Sequence, residues 1–295
     1  MRIVYCGKGE RAQVCLQSLR QTGFNIVTVI LPPGEKAHDA WQDLPVCQPE
    51  NINAPESVNI IRALRPDLII LAGYTQIIRS ELLSIPPLGI INLHGGKLPE
   101  YRGGSPINWQ IINGEREGGC AVHFVDEAID TGDIICQELY SIGGDDTAET
   151  ATSKTLEIFP RLLLDAVKQI VRGDVTRIRQ DPSSAAYYKK RHPEDGQIFW
   201  TQQLALEVHN LIRALNGPNL PGAYCFLDGQ KVVLSKSVLI SDIIKGLPGE
   251  IISQQKQGMA IAAKDKALLI TSVRTDQDAP DVAASFYFAT GMMLS

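Results

Sequence analysis

Four short runs, Ile3–Cys6, Asn25–Leu31, Leu68–Ala72 and Ile90–His94, alternate with segments of helical pattern. That alternation constrains the fold more than any other feature of the chain. Runs of this length suit buried strands and are too short for core helices. The helical segments fall at about Glu10–Thr22, at Glu56–Leu64 and near Ser80. Strands separated by helices predict βαβ units, hence an α/β domain with a mostly parallel sheet and right-handed crossovers. A Pro- and Gly-containing connection of little regularity, Pro32 to Asn53, interrupts the series. A helix near Ser105–Asn113, strands at Ala121–Val125 and Ile134–Tyr140, and a long helix over Thr147–Arg172 closed by Gly173 complete the region. In such sheets ligands bind beyond the carboxyl ends of the strands.

The pattern changes after the turn-rich Asp181-Pro182-Ser183-Ser184, which sets expected domains at residues 1–182 and 183–295. Leu204, Val208, Leu211, Ile212 and Leu215 recur at helical spacing. Beyond Gly217-Pro218 come short strands: Ala223–Leu227, a turn at Asp228-Gly229, then Lys231–Leu239, Gly249–Ile252, Met259–Ala262 and Ala267–Val273. These predict a small β-barrel or open β-sheet domain. A length of 295 residues agrees with one large and one small domain.

The formal net charge of −5 gives no electrostatic reason to expect a nucleic-acid partner. Six cysteines are scattered without a Cys-x-x-Cys pair, and no histidine stands at zinc spacing. They suit small buried residues in a reducing compartment, not a disulfide frame or a metal site. Met1-Arg2 leads straight into the first strand, and no apolar run approaches bilayer length, so a cytoplasmic protein without membrane association is expected.

Asn92-Leu93-His94 ends the fourth run. Residues two apart on a strand share a face, so Asn92 and His94 point the same way while Leu93 faces the opposite layer. Burying two polar side chains together costs free energy unless they have partners, which marks this strand end as a site. It is followed by Leu98-Pro99-Glu100-Tyr101-Arg102-Gly103, and later by Ile129-Asp130-Thr131-Gly132-Asp133. Each piece has a plainer reading. A histidine on an apolar strand is commonly a satisfied core residue. Asp130 shares its segment with Asp126, Glu127 and Asp133, any of which suits a turn or a cap, and Pro99, Gly103 and Gly104 shape loops. Gly7-Lys8-Gly9 is a βα turn short of a dinucleotide fingerprint, so a nicotinamide cofactor is not expected.

Together these motifs resemble the folate-dependent formyltransferases, in order and in long spacing. Asn-x-His at 92–94, Leu-Pro-x-Tyr-Arg-Gly at 98–103, Pro-x-x-Trp at 106–109 and Asp-x-Gly at 130–132 all match, with Asp130 lying 38 positions beyond Asn92. The resemblance covers nearly the whole chain and points to the two-domain members, the amino-sugar N-formyltransferases and methionyl-tRNA formyltransferase. It implies a Rossmann-like catalytic domain joined to a C-terminal β-rich, OB-like domain. It also implies 10-formyltetrahydrofolate as co-substrate and no metal.

The resemblance makes Asn92, His94 and Asp130 the catalytic residues. The Asn92 amide and a protonated His94 would stabilise the negative oxygen formed when an amine attacks the formyl carbon. Asp130 would raise the pKa of His94, orient the ring and help move the proton lost by the amine. Folate contacts, largely through backbone groups, are implied at Tyr74, Thr75, Gln76 and Ile77 and at Val125, Asp126 and Ile129. Substrate contacts are implied at Lys97, Tyr101, Arg102 and Gly103.

The acceptor is the harder question. The tRNA-acting members usually carry a basic insertion after the second strand. Here Pro32–Asn53 holds one lysine, Lys36, against Glu35, Asp39, Asp43 and Glu50. Gly96-Lys97-Leu98-Pro99 replaces the family's usual Ser-Leu-Leu-Pro, and Lys97 is suited to a substrate phosphate or to solvent. Gly34-Glu35-Lys36-Ala37, Ser105–Trp109 and Lys190–Gly196 look more like the amino-sugar branch. The expected activity is therefore formylation of a nucleotide-linked amino sugar by an enzyme that is dimeric in many sugar-acting relatives. Methionyl-tRNA formylation is the alternative. Hydrolysis of formyltetrahydrofolate and an inactive binding module stand behind both.

Overall fold

Arg2–Gly7 (β1) turns into the helix Gly9–Gln21 (α1), and Asn25–Ile30 (β2) returns to pair parallel with β1. The computed structural model that shows this describes residues 1–38, 41, 43–217, 220–240, 246–275, 280–284 and 288–295. Asp39 and Pro218, singled out in the sequence, lie outside the described residues. The connection expected to lack regularity contains a two-residue strand, Val46–Cys47 (β3), parallel to β2. Pro55–Ala63 (α2) then leads to Leu68–Ala72 (β4), which pairs with the opposite edge of β1. Ser80–Leu83 (α3) leads to Ile90–His94 (β5), parallel to β4.

The chain therefore reverses its direction of travel across the sheet between β1 and β4. At such a switch the strand ends leave a crevice for ligands. Gly7, Ala72 and Leu93 lie in register along that edge, with His94 just beyond. Val4, Cys6, Ile30, Ile69, Leu71 and Ile90 pack one face of the sheet with Val58, Ile61 and Leu82 from the helices. By strand alternation Asn92 and His94 share the face of Ile90.

Further along come the two-residue strand Arg102–Gly103 (β6), the helix Pro106–Ile112 (α4), and the strands Glu117–Phe124 (β7) and Ile134–Ser141 (β8). The sheet order is β3-β2-β1-β4-β5-β7-β8. Here the parallel pattern stops. β7 runs antiparallel to β5, with His94 opposite Ala121 and Asn92 opposite His123. The chain thus re-enters the sheet from the carboxyl end of β5. The helix Ala148–Arg172 (α5) follows, closed by Gly173 at φ +73. The strand Tyr187–Tyr188 (β9), not foreseen, pairs parallel with β6.

The chain forms two compact units. The first holds residues 1–106, 118–140 and 153–188; the second holds 107–117, 141–152 and 189–295. In the second, the helix Ala205–Ala214 (α6) buries Val208, Leu211 and Ile212, while Leu204 stays exposed at its start. The strands are Ala223–Leu227 (β10), Gln230–Leu239 (β11), Ile251–Gln255 (β12), Gly258–Ala262 (β13), Ala267–Arg274 (β14) and Val282–Ala283 (β15). They pair antiparallel in the order β10-β11-β14-β13-β12, with β15 beside β14.

Residues 292–295 join the two edges of this sheet. The Phe226 N–H donates to Ser295 O at 2.7 Å, and the Ile251 N–H to Met292 O at 2.9 Å. A sheet whose edges meet in this way offers few unpaired backbone groups. It encloses Trp200, Val232, Leu234, Ile261 and Ile270, and α6 packs on the same core. Among the described residues, no helix is long and apolar enough to cross a membrane.

Candidate active site

Asn92 and His94 leave β5 on one face, and Asp130 meets them from the loop between β7 and β8. The His94 Nδ1 lies 3.4 Å from Asp130 Oδ2, and the Asn92 amide nitrogen 3.4 Å from Asp130 Oδ1. The three residues singled out as catalytic are therefore brought together. On its other side the His94 ring places Nε2 2.6 Å from the Tyr101 carbonyl oxygen. A carbonyl only accepts, so Nε2 meets it as a donor, while Nδ1 faces the Asp130 carboxylate, which also only accepts; the ring thus has an acceptor on each side.

Burial draws the His94 pKa below its ordinary value. Asp130 opposes this, His123 reinforces it, the Tyr101 carbonyl opposes it, and Arg11 lowers it further. Asp130 thus pulls in the expected direction, but desolvation outweighs it. The net shift is opposite to the one the sequence suggested.

Burial would raise the pKa of Asp130. A hydrogen bond from His123, the charges of His94 and His123, and the Gly103 N–H at 2.9 Å reverse that and bring it down to about 2. Its backbone is left-handed, φ +54, unusual for a residue with a side chain. That conformation costs on the order of 1–2 kcal/mol, so neighbouring contacts must hold it. Two residues on, a Cβ at Gly132 would stand 1.9 Å from the Phe124 carbonyl oxygen. Gly132→Ala is accordingly expected to destabilise the protein by at least about 1–3 kcal/mol, because a backbone carbonyl cannot step aside as a side chain can. Urea denaturation measures this, and an unchanged midpoint would show that the loop has slack.

His123 is the neighbour that sequence reasoning missed. Its Nδ1 lies 2.7 Å from the Phe124 carbonyl oxygen, its Nε2 3.1 Å from the Asn92 amide nitrogen and 3.4 Å from Asp130 Oδ1. The available signal was a second polar residue buried in the apolar strand Ala121–Val125. Its relevance depended on the antiparallel register that places it opposite Asn92.

The residues expected at the folate lie on two loops packed against one apolar cluster, which Tyr74, Ile78 and Val125 share. Gln76 is tied to residues 50–52, accepting from the Ile52 N–H at 2.7 Å and donating to the Glu50 carbonyl at 3.0 Å. Thr75 is exposed, and Ile77 and Ile129 are 63% and 49% exposed. The Tyr74 hydroxyl is buried without a hydrogen-bond partner among the described residues, and burial raises its pKa. Asp126 closes its own turn, accepting from the Ala128 N–H and the Thr131 hydroxyl.

Among the residues expected at the substrate, Lys97 pairs with Glu100 at 3.3 Å, and Tyr101 is buried and stacked on Tyr188 with ring centres 4.9 Å apart. The Arg102 guanidinium is buried, reaching Gln180 at 2.9 Å and the Tyr187 hydroxyl at 3.2 Å. Gly103 places its N–H on Asp130. In the second unit, Asp195 accepts from Lys189 and from the His192 N–H, and Arg191 lies over Trp109. The basic run thus closes a local turn.

Comparison with known proteins agrees with this arrangement. The model of the formyl transferase family matches residues 1–167, and that of the formyl transferase C-terminal domain matches residues 190–287. Methionyl-tRNA formyltransferase of Geobacter sulfurreducens is 32% identical over 289 residues, 94% of this chain and 90% of that protein. The protein of the same name from Methylacidiphilum infernorum is 32% identical over 318 residues, covering 100% of this chain and 98% of its own. Among solved structures, an N-formyltransferase from Helicobacter canadensis, in complex with folinic acid and dTDP-3-aminofucose, has the same fold. Its TM-score is 0.71 at 20% identity, over 91% of this chain and 98% of that one. With both domain models matched in order and relatives 32% identical over nearly the whole chain, the chain belongs to the folate-dependent formyltransferase family.

Proposed function

We propose that this formyltransferase moves the formyl group of 10-formyltetrahydrofolate to the amine of methionyl-tRNA. The single observation that carries the chemistry is the set of Asn92, His94 and Asp130 gathered at the carboxyl end of β5. Whole-length identity to methionyl-tRNA formyltransferases supports the acceptor. The formyl donor brings an activated one-carbon unit on nitrogen. Tyr74 to Ile77, with Val125, Asp126 and Ile129, would hold it. The orphan Tyr74 hydroxyl and the exposed Ile77 and Ile129 suit a ligand with polar edges and an apolar face.

The Asn92 amide and the His94 Nε2–H then donate to the oxygen on which charge develops, the latter exchanging the Tyr101 carbonyl for it. Asp130, ionised at working pH, orients the ring and helps pass the proton of the attacking amine, directly or through water, to N10 of the donor, so that the C–N10 bond breaks and tetrahydrofolate leaves as the new C–N bond to the amine is completed. Lys97, with the backbone of Tyr101 to Gly103, lines the acceptor side. On this reading the chemistry belongs to residues 1–182 and residues 183–295 form the β-rich domain, although β9 lies in the first compact unit. Six free cysteines suit a cytoplasmic setting.

A second reading, formylation of a nucleotide-linked amino sugar, is favoured by one observation. The connection after β2 is acidic, with Lys8 held on Glu35 and Arg20 on Asp43, and an acidic loop repels an acceptor stem. The experiment is a formyl-transfer assay with 10-formyltetrahydrofolate and each acceptor in turn. Methionyl-tRNA is expected to be formylated, with binding that weakens steeply as salt rises. Thermal stabilisation and turnover with dTDP- or UDP-linked amino sugars, and none with tRNA, would replace the first reading by the second. Formate release without any amine would mean hydrolysis.

A further inference from the structure

We propose that Arg102 and Gln180 are positioning residues that lock the catalytic Asp130 in place, and that the short strand β9 anchors the lock. Both side chains are almost fully buried, Arg102 at 6% and Gln180 at 5% exposure, in a setting where a polar group must find partners. Gln180 uses every hydrogen-bonding direction it needs for this. Its Nε2 donates to the Asp130 carbonyl at 2.9 Å and the Gly132 carbonyl at 2.7 Å, gripping the loop on both sides of Thr131. Its Oε1 accepts from Arg102 Nε at 2.9 Å.

The order of command follows from the chemistry of the groups. A guanidinium carries donors and no acceptor, so Arg102 forces the Gln180 oxygen toward itself. Both amide hydrogens are then turned to the two carbonyls. This grip holds the left-handed backbone of Asp130, while the neighbouring Gly103 N–H, at 2.9 Å, holds its carboxylate. One dipeptide, Arg102-Gly103, thus fixes the backbone of Asp130 through Gln180 and its side chain directly.

That dipeptide is itself fastened to residues 186–188. The Arg102 N–H donates to the Ala186 carbonyl at 3.0 Å, the Gly104 N–H to the Tyr188 carbonyl at 2.8 Å, and the Arg102 guanidinium to the Tyr187 hydroxyl at 3.2 Å. The contact is close enough that a Cβ at Gly103 would meet the Tyr188 carbonyl oxygen at 2.2 Å. A change in the path of residues 186–188 is therefore transmitted to Asp130 without passing through the sheet.

The proposal rests on Asp130 being catalytic, so its test has one arm that needs no turnover. Gln180→Glu keeps the volume and the partner of Arg102 but sets an anionic oxygen against two carbonyls. Arg102→Met removes the orienting charge. In carbon-13 NMR, the carboxyl of Asp130, assigned by its loss in Asp130→Asn, is followed against pH. Asp130 is faced by His94 on β5, His123 on β7 and the Gly103 N–H on β6, and the Arg177–Asp133 pair is near in sequence. With the histidines unchanged, loss of the grip is expected to raise the midpoint by about one pH unit in both variants. In the transfer assay, kcat is expected to fall about 10- to 100-fold with KM nearly unchanged.

A parental midpoint and parental kcat in Gln180→Glu would overturn the proposal. So would a loss of activity explained by unfolded protein, with the folded fraction titrating as the parent does. If the NMR midpoint moves while the parent itself transfers no formyl group, the positioning network stands and the functional reading falls.

Discussion

Replacing His94 by alanine is expected to reduce kcat by about 100- to 10,000-fold while leaving KM for either substrate nearly unchanged, the range typical for loss of a positioned acid–base group. The split follows from where the ring sits. It is buried at the strand end, its Nε2–H held by the Tyr101 carbonyl and its Nδ1 turned to Asp130, so it presents little surface to a substrate in its ground state. Its donor becomes useful only as negative charge grows on the formyl oxygen, and an interaction realised only there is lost from kcat. Asn92 remains to supply a donor, which keeps the variant above background. His94→Gln, whose amide nitrogen can stand near the place of Nε2 and donate to the Tyr101 carbonyl, controls for local collapse and is expected to be nearly as slow. Single-turnover kinetics with saturating donor measure the step directly. A His94→Ala enzyme that works at the parental rate would remove this ring from the mechanism.

Much of the sheet that positions these groups was legible because its signals are local. Ile3–Cys6, Leu68–Ala72 and Ile90–His94 each announce a buried strand within five residues, and the two-residue period of the last one puts Asn92 and His94 on one face. What was illegible depends on contacts between distant segments. The antiparallel placement of β7, and with it the approach of His123 to Asn92, is set by the chain re-entering the sheet at the end where β5 leaves it. Periodicity carries no information about that choice.

The pairing of Arg102-Gly103 with Tyr187-Tyr188 spans 85 residues and involves two-residue strands too short to show a pattern. Arg102 illustrates the consequence. From sequence it is a charged loop residue suited to a substrate, whereas the fold buries it against Gln180. The direction of the His94 pKa shift failed for a related reason. A carboxylate partner can be inferred from a motif, but the extent of desolvation cannot be known before the packing is seen.

Asp130→Asn is expected to combine the second-largest loss of turnover, about 100- to 1,000-fold, with a stability defect that depends on pH in a defined direction. The carboxyl has a pKa of about 2 in the folded chain, below its ordinary value near 3.8. A group whose pKa is depressed by folding stabilises the folded state while it is ionised in both states. That stabilisation is fully present above about pH 5 and is lost as pH falls through the folded value. A shift of this size corresponds to on the order of 2 kcal/mol. Asparagine keeps the shape but replaces one acceptor by a donor, among groups that already donate: the Gly103 N–H, and the Asn92 amide at 3.4 Å. Chemical denaturation of the first transition should therefore separate the parent from Asp130→Asn by about that amount at pH 7, and the gap should close steadily between pH 4 and pH 2. Salt should change it little, since a buried carboxylate is poorly screened. A gap that stays constant from pH 7 to pH 2 would mean that asparagine acts through packing alone. The carboxylate would then have no electrostatic hold on His94, and the ring would need another partner to stay oriented for catalysis.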